Sequence, residues 1–230
     1  MKVNRLHDWN ISYKKAVVLQ IQLRSRLILN RQLRDVRLVA GADVSCSRGD
    51  NRLYAGVVVL DAVDMSVVEE KTIVAETEFP YVPGFLSFRE VPPLLKVFAE
   101  LETTPDVVIF DGQGIAHPRR LGLASHAGLF LGIPTVGCAK SRLVGEYRNP
   151  GTEKGAWSSL EDKGEEIGRV LRTRGNVNPV FVSPGHLIDM ESSLDLVLRM
   201  CPRYRISEPV RRAHELVNNL RRNDIGEGEN

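Results

Sequence analysis

Asp106-Val107-Val108-Ile109-Phe110-Asp111-Gly112-Gln113-Gly114 runs an apolar stretch into an aspartate and then into a glycine-rich loop. So short an apolar run, with turn residues behind it, reads as a strand over Asp106–Phe110 that is buried on both faces. Downstream, Thr135–Cys138 has the same character and is followed by Ala139-Lys140. Between them, Leu121–Leu131 reads as a helix. Strand, helix and strand, with both strands buried, is the alternation of a parallel α/β unit.

Working back toward the start, the rhythm changes. Arg37–Cys46, Leu53–Ala62 and Val67–Ala75 are valine-rich runs separated by Gly49-Asp50-Asn51 and Asp64-Met65-Ser66. Turn residues that close together predict an antiparallel meander. Ser12 caps an expected helix with Ala16, Leu19, Leu23 and Leu27 at helical spacing. Pro92-Pro93 suit the entrance of a helix (Leu94, Leu95, Phe98, Leu101) better than its middle, so Glu90 is expected just before that helix. Toward the end, Glu166–Thr173 and Val180–Ser183 read as strands. Two helices follow, one with Met190, Leu194, Val197 and Cys201 on a face, the other from Ser207 to about Arg222. The expectation is an α/β fold: a single domain over 1–222 with a mixed central sheet flanked by helices. The polar stretch 223–230 is expected to be a disordered tail.

Composition agrees. In 230 residues, 43% are hydrophobic and 26% charged, which excludes a disordered chain, a collagen-like repeat and a coiled-coil rod. Cys46, Cys138 and Cys201 are odd in number and far apart, so neither a disulfide framework nor a zinc knuckle is indicated. The opening Met1–Asp8 lacks an apolar core of signal-peptide length, and Gly128–Ala139 is too short to span a bilayer. A soluble protein of the cytoplasm is expected, with no membrane partner. A net charge of +2 neither announces nor excludes nucleic acid. Local charge says more. Arg199, Arg203, Arg205, Arg211, Arg212, Arg221 and Arg222 face only Glu208 and Glu215.

Several residues carry potential chemistry. Asp43 sits in an otherwise apolar strand, so it faces either a cleft with a cation or, on an edge strand, plain solvent. Asp111 ends a buried strand, where ligands bind in open α/β sheets, although Asp-Gly is also an ordinary strand-ending turn. His117-Pro118-Arg119-Arg120 after the glycine-rich loop would suit a phosphate. Lys140 has the same strand-end position as Asp111, and His214 lies on the last helix; each is also a common structural placement. Carboxylates on separate elements favour an oxygen-seeking cation such as Mg²⁺ over zinc. Phe79-Pro80-Tyr81-Val82-Pro83-Gly84 holds an aromatic residue in a stiff turn. Tyr81 either packs on the core or points outward as a wedge for unstacking bases.

Taken together, these residues resemble the endonuclease V family, repair nucleases that act beside deaminated purines. The likeness runs from Leu6-His7-Asp8-Trp9 to His214. Its blocks are Val39–Ser45, Phe79–Gly84 with Phe88-Arg89-Glu90, Phe110–Arg119, Gly137–Leu143, Val182–His186 and Glu208–His214. Ala42 and Cys138 are mild departures, and Gly145–Glu165 carries no motif. The resemblance implies a ribonuclease-H-like mixed sheet. It places the metal ligands on Asp43 and Asp111, with Glu90 as an acidic third member acting through water, and Mg²⁺ as cofactor with Mn²⁺ able to substitute. Lys140 and His214 complete the implied catalytic group. Pro80, Tyr81, Val82 and Pro83 form the implied wedge, and His117 and Arg119 are assigned to DNA contact.

The implied reaction is hydrolysis of the second phosphodiester 3′ of hypoxanthine, leaving a 3′-hydroxyl and a 5′-phosphate. Hypoxanthine offers an oxygen acceptor and an N–H donor where adenine offers the reverse. Backbone groups near Gly84, Gly112, Gly122 and Gly137 would read that difference, with Leu86, Leu123 and Leu143 as apolar walls. The expected partner is DNA containing deaminated bases, bound by a monomer. Inosine-containing RNA is the alternative substrate.

Overall fold

A computed structural model describes residues 1–47 and 51–227. In chain order the elements are α1 (Tyr13–Arg24), β1 (Leu38–Cys46), β2 (Arg52–Asp61), β3 (Val67–Glu76), α2 (Leu86–Glu100), β4 (Val107–Phe110) and α3 (Leu123–Leu131). Then come β5 (Thr135–Ala139), β6 (Glu146–Tyr147), β7 (Trp157–Asp162), β8 (Glu165–Leu171), β9 (Val180–His186), α4 (Met190–Arg199) and α5 (Glu208–Glu227). They build one α/β domain on a nine-stranded sheet of order β3-β2-β1-β4-β5-β9-β8-β7-β6. β1, β2 and β3 form the antiparallel meander, and β1, β4 and β5 run parallel at the centre. The mixed, ribonuclease-H-like sheet expected from the sequence is therefore present. The turn expected at Gly49-Asp50-Asn51 falls mainly on positions outside the described residues.

Strand parity fixes what faces what, because alternate side chains leave opposite faces. Ala40 and Ala42 of β1 join the core under α2 and α3. Val39 of β1, Val107 and Ile109 of β4, and Val136 and Cys138 of β5 join the core under α4 and α5. Continuing those odd and even series, Asp43, Asp111 and Lys140 all belong to the α5 side. The last helix lies against β1 so closely that a Cβ on Gly41 would sit 2.0 Å from the Pro209 carbonyl oxygen.

Two expectations need correction, and one segment without a motif proves to be sheet. α2 begins at Leu86, not at the prolines, so Pro92 and Pro93 lie inside it. They remove amide donors from mid-helix, yet the helix persists because Phe88, Val91, Leu94, Val97 and Phe98 are buried against the sheet. The uninterpreted segment 145–165 contains β6 and β7, which extend the sheet edge. Finally, α5 continues through Glu227, so 223–227 are helical; Asp224 there accepts from the Tyr54 hydroxyl at 2.6 Å. Positions 228–230 lie outside the described residues. No helix among those described is long and apolar enough to cross a membrane.

Candidate active site

β1 and β4 run parallel with Ala42 beside Phe110, so the next residues, Asp43 and Asp111, emerge side by side. Across them α5 presents His214, whose Nδ1 lies 2.7 Å from Asp43 Oδ2. Ligand atoms of Asp43, Asp111 and His214 all fall within 4.8 Å of one another. Lys140, leaving β5, donates to Asp111 Oδ2, and its backbone carbonyl is held by Arg205 at 2.9 Å.

Electrostatics follow from crowding. Burial and the neighbouring Asp43 push the Asp111 carboxyl up, opposed by Lys140. The hydrogen bond to Asp43 pushes His214 up, because it favours the charged imidazolium. Glu90 reaches the region from α2, on the other face of the sheet, and is not part of the compact group. Burial, then Asp43 and Asp111, push its carboxyl well above the usual range. Two carboxylates and an imidazole can hold a divalent cation, and Glu90 faces the cavity beside them.

That cavity, about 450 Å³, runs from Asp43 and Asp111 to the Tyr81–Gly84 turn. Gly84, Leu86, Gly112, Gly122, Leu123 and Leu143 line it. Gly137 does not. A Cβ there would lie 2.3 Å from the Gly114 amide nitrogen, so its role is to let β5 back the 112–114 loop. Tyr81 is 66% exposed at the rim and is not a core residue. Val82 and Pro83 line the cavity beside it, and Pro80 lies in a neighbouring hollow with Phe79 and Trp9.

His117 and Arg119, expected at the DNA, both bond the carbonyl of Gly84 in the rim turn. His117 is 3% exposed. Its Nδ1 accepts from the Arg119 amide at 3.1 Å, and its Nε2 donates to the Gly84 carbonyl at 3.0 Å. No ring nitrogen remains for a phosphate. Burial, then Arg119, pull its pKa down to about 4. Arg119 donates to the same Gly84 carbonyl at 2.6 Å and to Gln20 of α1 at 2.5 Å. Gln20 donates to it as well, at 3.0 Å. Both residues thus pin the rim turn, where Gly84 takes a φ of 80°. Arg120 is paired with Asp162 and Glu165. The C-terminal arginines are partly neutralised too, Arg211 by Glu208 and Glu215 and Arg212 by Glu208.

Sequence reasoning missed Gln20 and Ser87. Ser87 lines the cavity and meets buried His126 at 2.9 Å. Its only advance signal was its place between two matched blocks.

Comparison with known proteins bears on the same region. The family model for Endonuclease V matches residues 21–215. Endonuclease V of Dehalococcoides mccartyi is 48% identical over 214 residues, 93% of this chain and 96% of its own. The crystal structure of Endonuclease V from Bacillus subtilis superposes with a TM-score of 0.93 at 33% identity, covering 99% of this chain and 100% of that one. Ciona intestinalis Endonuclease V, in complex with a 24-mer DNA containing an inosine followed by a ribo-adenosine, gives 0.80 at 25% identity over 91% and 98%.

Proposed function

This chain belongs to the endonuclease V family, and on that premise we propose that it cuts DNA beside deaminated purines in a divalent-metal-dependent hydrolysis. The reading rests on one juxtaposition: Asp43, Asp111 and His214 stand together at one end of a base-sized cavity whose other rim carries exposed Tyr81. The proposed bond is the second phosphodiester 3′ of the lesion, which separates the base-reading place from the cutting place. The activity is assigned to the domain over 1–222, acting as a monomer in the cytoplasm. Three free thiols are consistent with a reducing compartment.

Asp43 and Asp111 would hold Mg²⁺, or Mn²⁺ in its place, since carboxylate oxygens suit both. When bound, the cation supplies charge neutralisation and Lewis acidity at the phosphate. The remaining roles fall to side chains. Asp43 holds the Nδ1 side of His214, which directs Nε2 outward as the proton acceptor for an attacking water. Glu90, favoured in its protonated form, would donate a hydrogen bond into the cavity beside Asp43 and Asp111. Lys140, paired with Asp111 at the same end of the cavity, would stabilise negative charge on the phosphate. Tyr81 would fill the space left by the flipped base.

A 5′-labelled duplex with one hypoxanthine, incubated with and without Mg²⁺ and resolved on a denaturing gel, tests this. One product cut at the second 3′ phosphodiester, only with the metal, is expected. Equal cutting of unmodified duplex would overturn it. The Ciona complex, with its ribo-adenosine after inosine, favours one second reading, an inosine-specific endoribonuclease. Matched DNA and RNA strands separate the two.

A further inference from the structure

Ser87 stands in the first turn of α2, 3% exposed, on the wall of the cavity. Behind it runs a chain of hydrogen bonds to the surface. Ser87 Oγ is 2.9 Å from His126 Nδ1, and His126 Nε2 is 2.8 Å from His7 Nε2. His7 Nδ1 ends the chain 2.9 Å from the Asp8 backbone carbonyl. Trp9, Phe88 and Phe130 pack around both rings. None of this is used by the cleavage chemistry.

The chain has a direction, and one atom sets it. A carbonyl only accepts, so His7 Nδ1 carries the hydrogen and donates to Asp8. Burial lowers both imidazoles below 6.5, His126 far below, so both are neutral near pH 7. A neutral ring has one donor and one acceptor. His7 Nε2 therefore accepts from His126 Nε2–H, which leaves His126 Nδ1 as an acceptor. The Ser87 hydroxyl must donate to it. With its only hydrogen committed backwards, Ser87 offers lone pairs alone to anything entering the cavity.

We propose that Ser87 is a specificity residue that accepts a hydrogen bond from the N1–H of a flipped 6-oxopurine, with His126 and His7 as positioning residues. The inference rests on the cavity being the base pocket. Adenine places a lone pair at N1, so it would meet lone pair with lone pair. Deamination converts that atom into a donor. The chain thus senses the one ring position whose hydrogen-bonding sense changes with the lesion. A buried polar group left facing the wrong partner discriminates more strongly than apolar contact does. Guanine shares the N1–H, so Ser87 separates the lesion from its parent adenine and leaves guanine to the walls.

The test compares kcat/KM on duplexes carrying hypoxanthine or unsubstituted purine, which keeps a lone pair at N1. The wild-type ratio contains contributions from both N1 and the 6-oxygen, so the change in ratio on mutation isolates N1. Ser87→Ala should lower the preference for hypoxanthine about five- to tenfold, with Ser87→Thr restoring it. His7→Phe keeps the ring packing but frees the tautomer of His126, and should lower the ratio without touching the cavity. Acid gives an independent readout. A protonated His7 donates from Nε2, His126 must reverse, and Ser87 then donates into the cavity. The wild-type ratio should fall as acid protonates His7, at a pH below the ordinary imidazole range because burial lowers this group, and that of His7→Phe should stay flat. Asp8, tied to Arg5 at 2.8 Å, faces His7, and His117 bears on His126; their influence cancels in the comparison with His7→Phe. Wild-type ratios in folded Ser87→Ala, shown by thermal melting, overturn the proposal while hypoxanthine cleavage stands. Failure of the wild type to prefer hypoxanthine overturns the pocket assignment and this inference with it.

Discussion

Gly41→Ala should disable the protein from a position that touches no substrate. The added Cβ would lie 2.0 Å from Pro209 O, 2.1 Å from Pro209 C and 2.6 Å from Val210 N, all backbone atoms that cannot rotate away. An ordinary carbon–oxygen contact is roughly 3.3 Å, so the start of α5 must retreat by about 1.3 Å. His214, little more than a helical turn further on, moves with it. Its 2.7 Å bond to Asp43 would open to about 4 Å, beyond hydrogen-bond reach. Overpacking of this kind destabilises by about 1–3 kcal/mol, which lowers Tm by roughly 2–12 °C in a domain this size. A misplacement near 1 Å lowers catalytic rate on the order of a hundredfold. Gly175→Ala is the control, since the nearest atom to its added Cβ, Thr152 O at 3.7 Å, is at ordinary contact distance and away from α5. Melting by differential scanning fluorimetry and single-turnover cleavage at saturating Mg²⁺ give both quantities. A Gly41→Ala protein that melts and cuts like the wild type would refute the idea that α5 seats His214 through this contact.

Asp43→Ala and Asp111→Asn should each lower turnover by on the order of 10²–10³-fold or more, while binding of a hypoxanthine duplex, read by fluorescence anisotropy, largely survives; near-normal turnover would sink the metal assignment. Tyr81→Ala should melt like the wild type, because the ring is 66% exposed. It should bind lesion duplex several-fold more weakly and lose less on single strands, a difference visible in parallel titrations. His117 is held near pKa 4 against 6.5 unfolded. Its contribution to stability is thus full above pH 6.5 and is lost as pH falls toward 4, in all about 3 kcal/mol. Urea melts from pH 7 to 4 should show this slope reduced in His117→Gln; an unchanged slope would mean His117 titrates normally.

The central strands were readable because burial on both faces leaves a plain signature. Val107–Phe110 has no polar residue to hide, and the aspartate behind it marks the strand's end. Strand parity then carried Asp43 and Asp111 to one face, which the sequence contained but did not display without the pairing of β1 with β4. The start of α2 was not legible. Local proline chemistry argues for an entrance at Pro92, and only tertiary burial of Phe88 and Val91 outweighs it. β7 was hidden for a different reason: of its six residues only Leu160 is buried, so it has no clear alternation. His117 and Arg119 show the limit for sites. Basic residues beside a glycine-rich loop read as phosphate ligands, and no local pattern reveals that the Gly84 carbonyl, over thirty residues away, is their partner.

The bond between His214 and Asp43 joins residues 171 positions apart, and that distance has a consequence during synthesis. At cellular translation rates, the histidine follows the first aspartate by roughly 10–30 s. Most of the meander, the central strands and the cavity-lining residues are made in that interval, whereas α5, which packs on β1 at Gly41, comes last. The proposed proton acceptor arrives late, which makes cutting competence a property of the nearly finished chain.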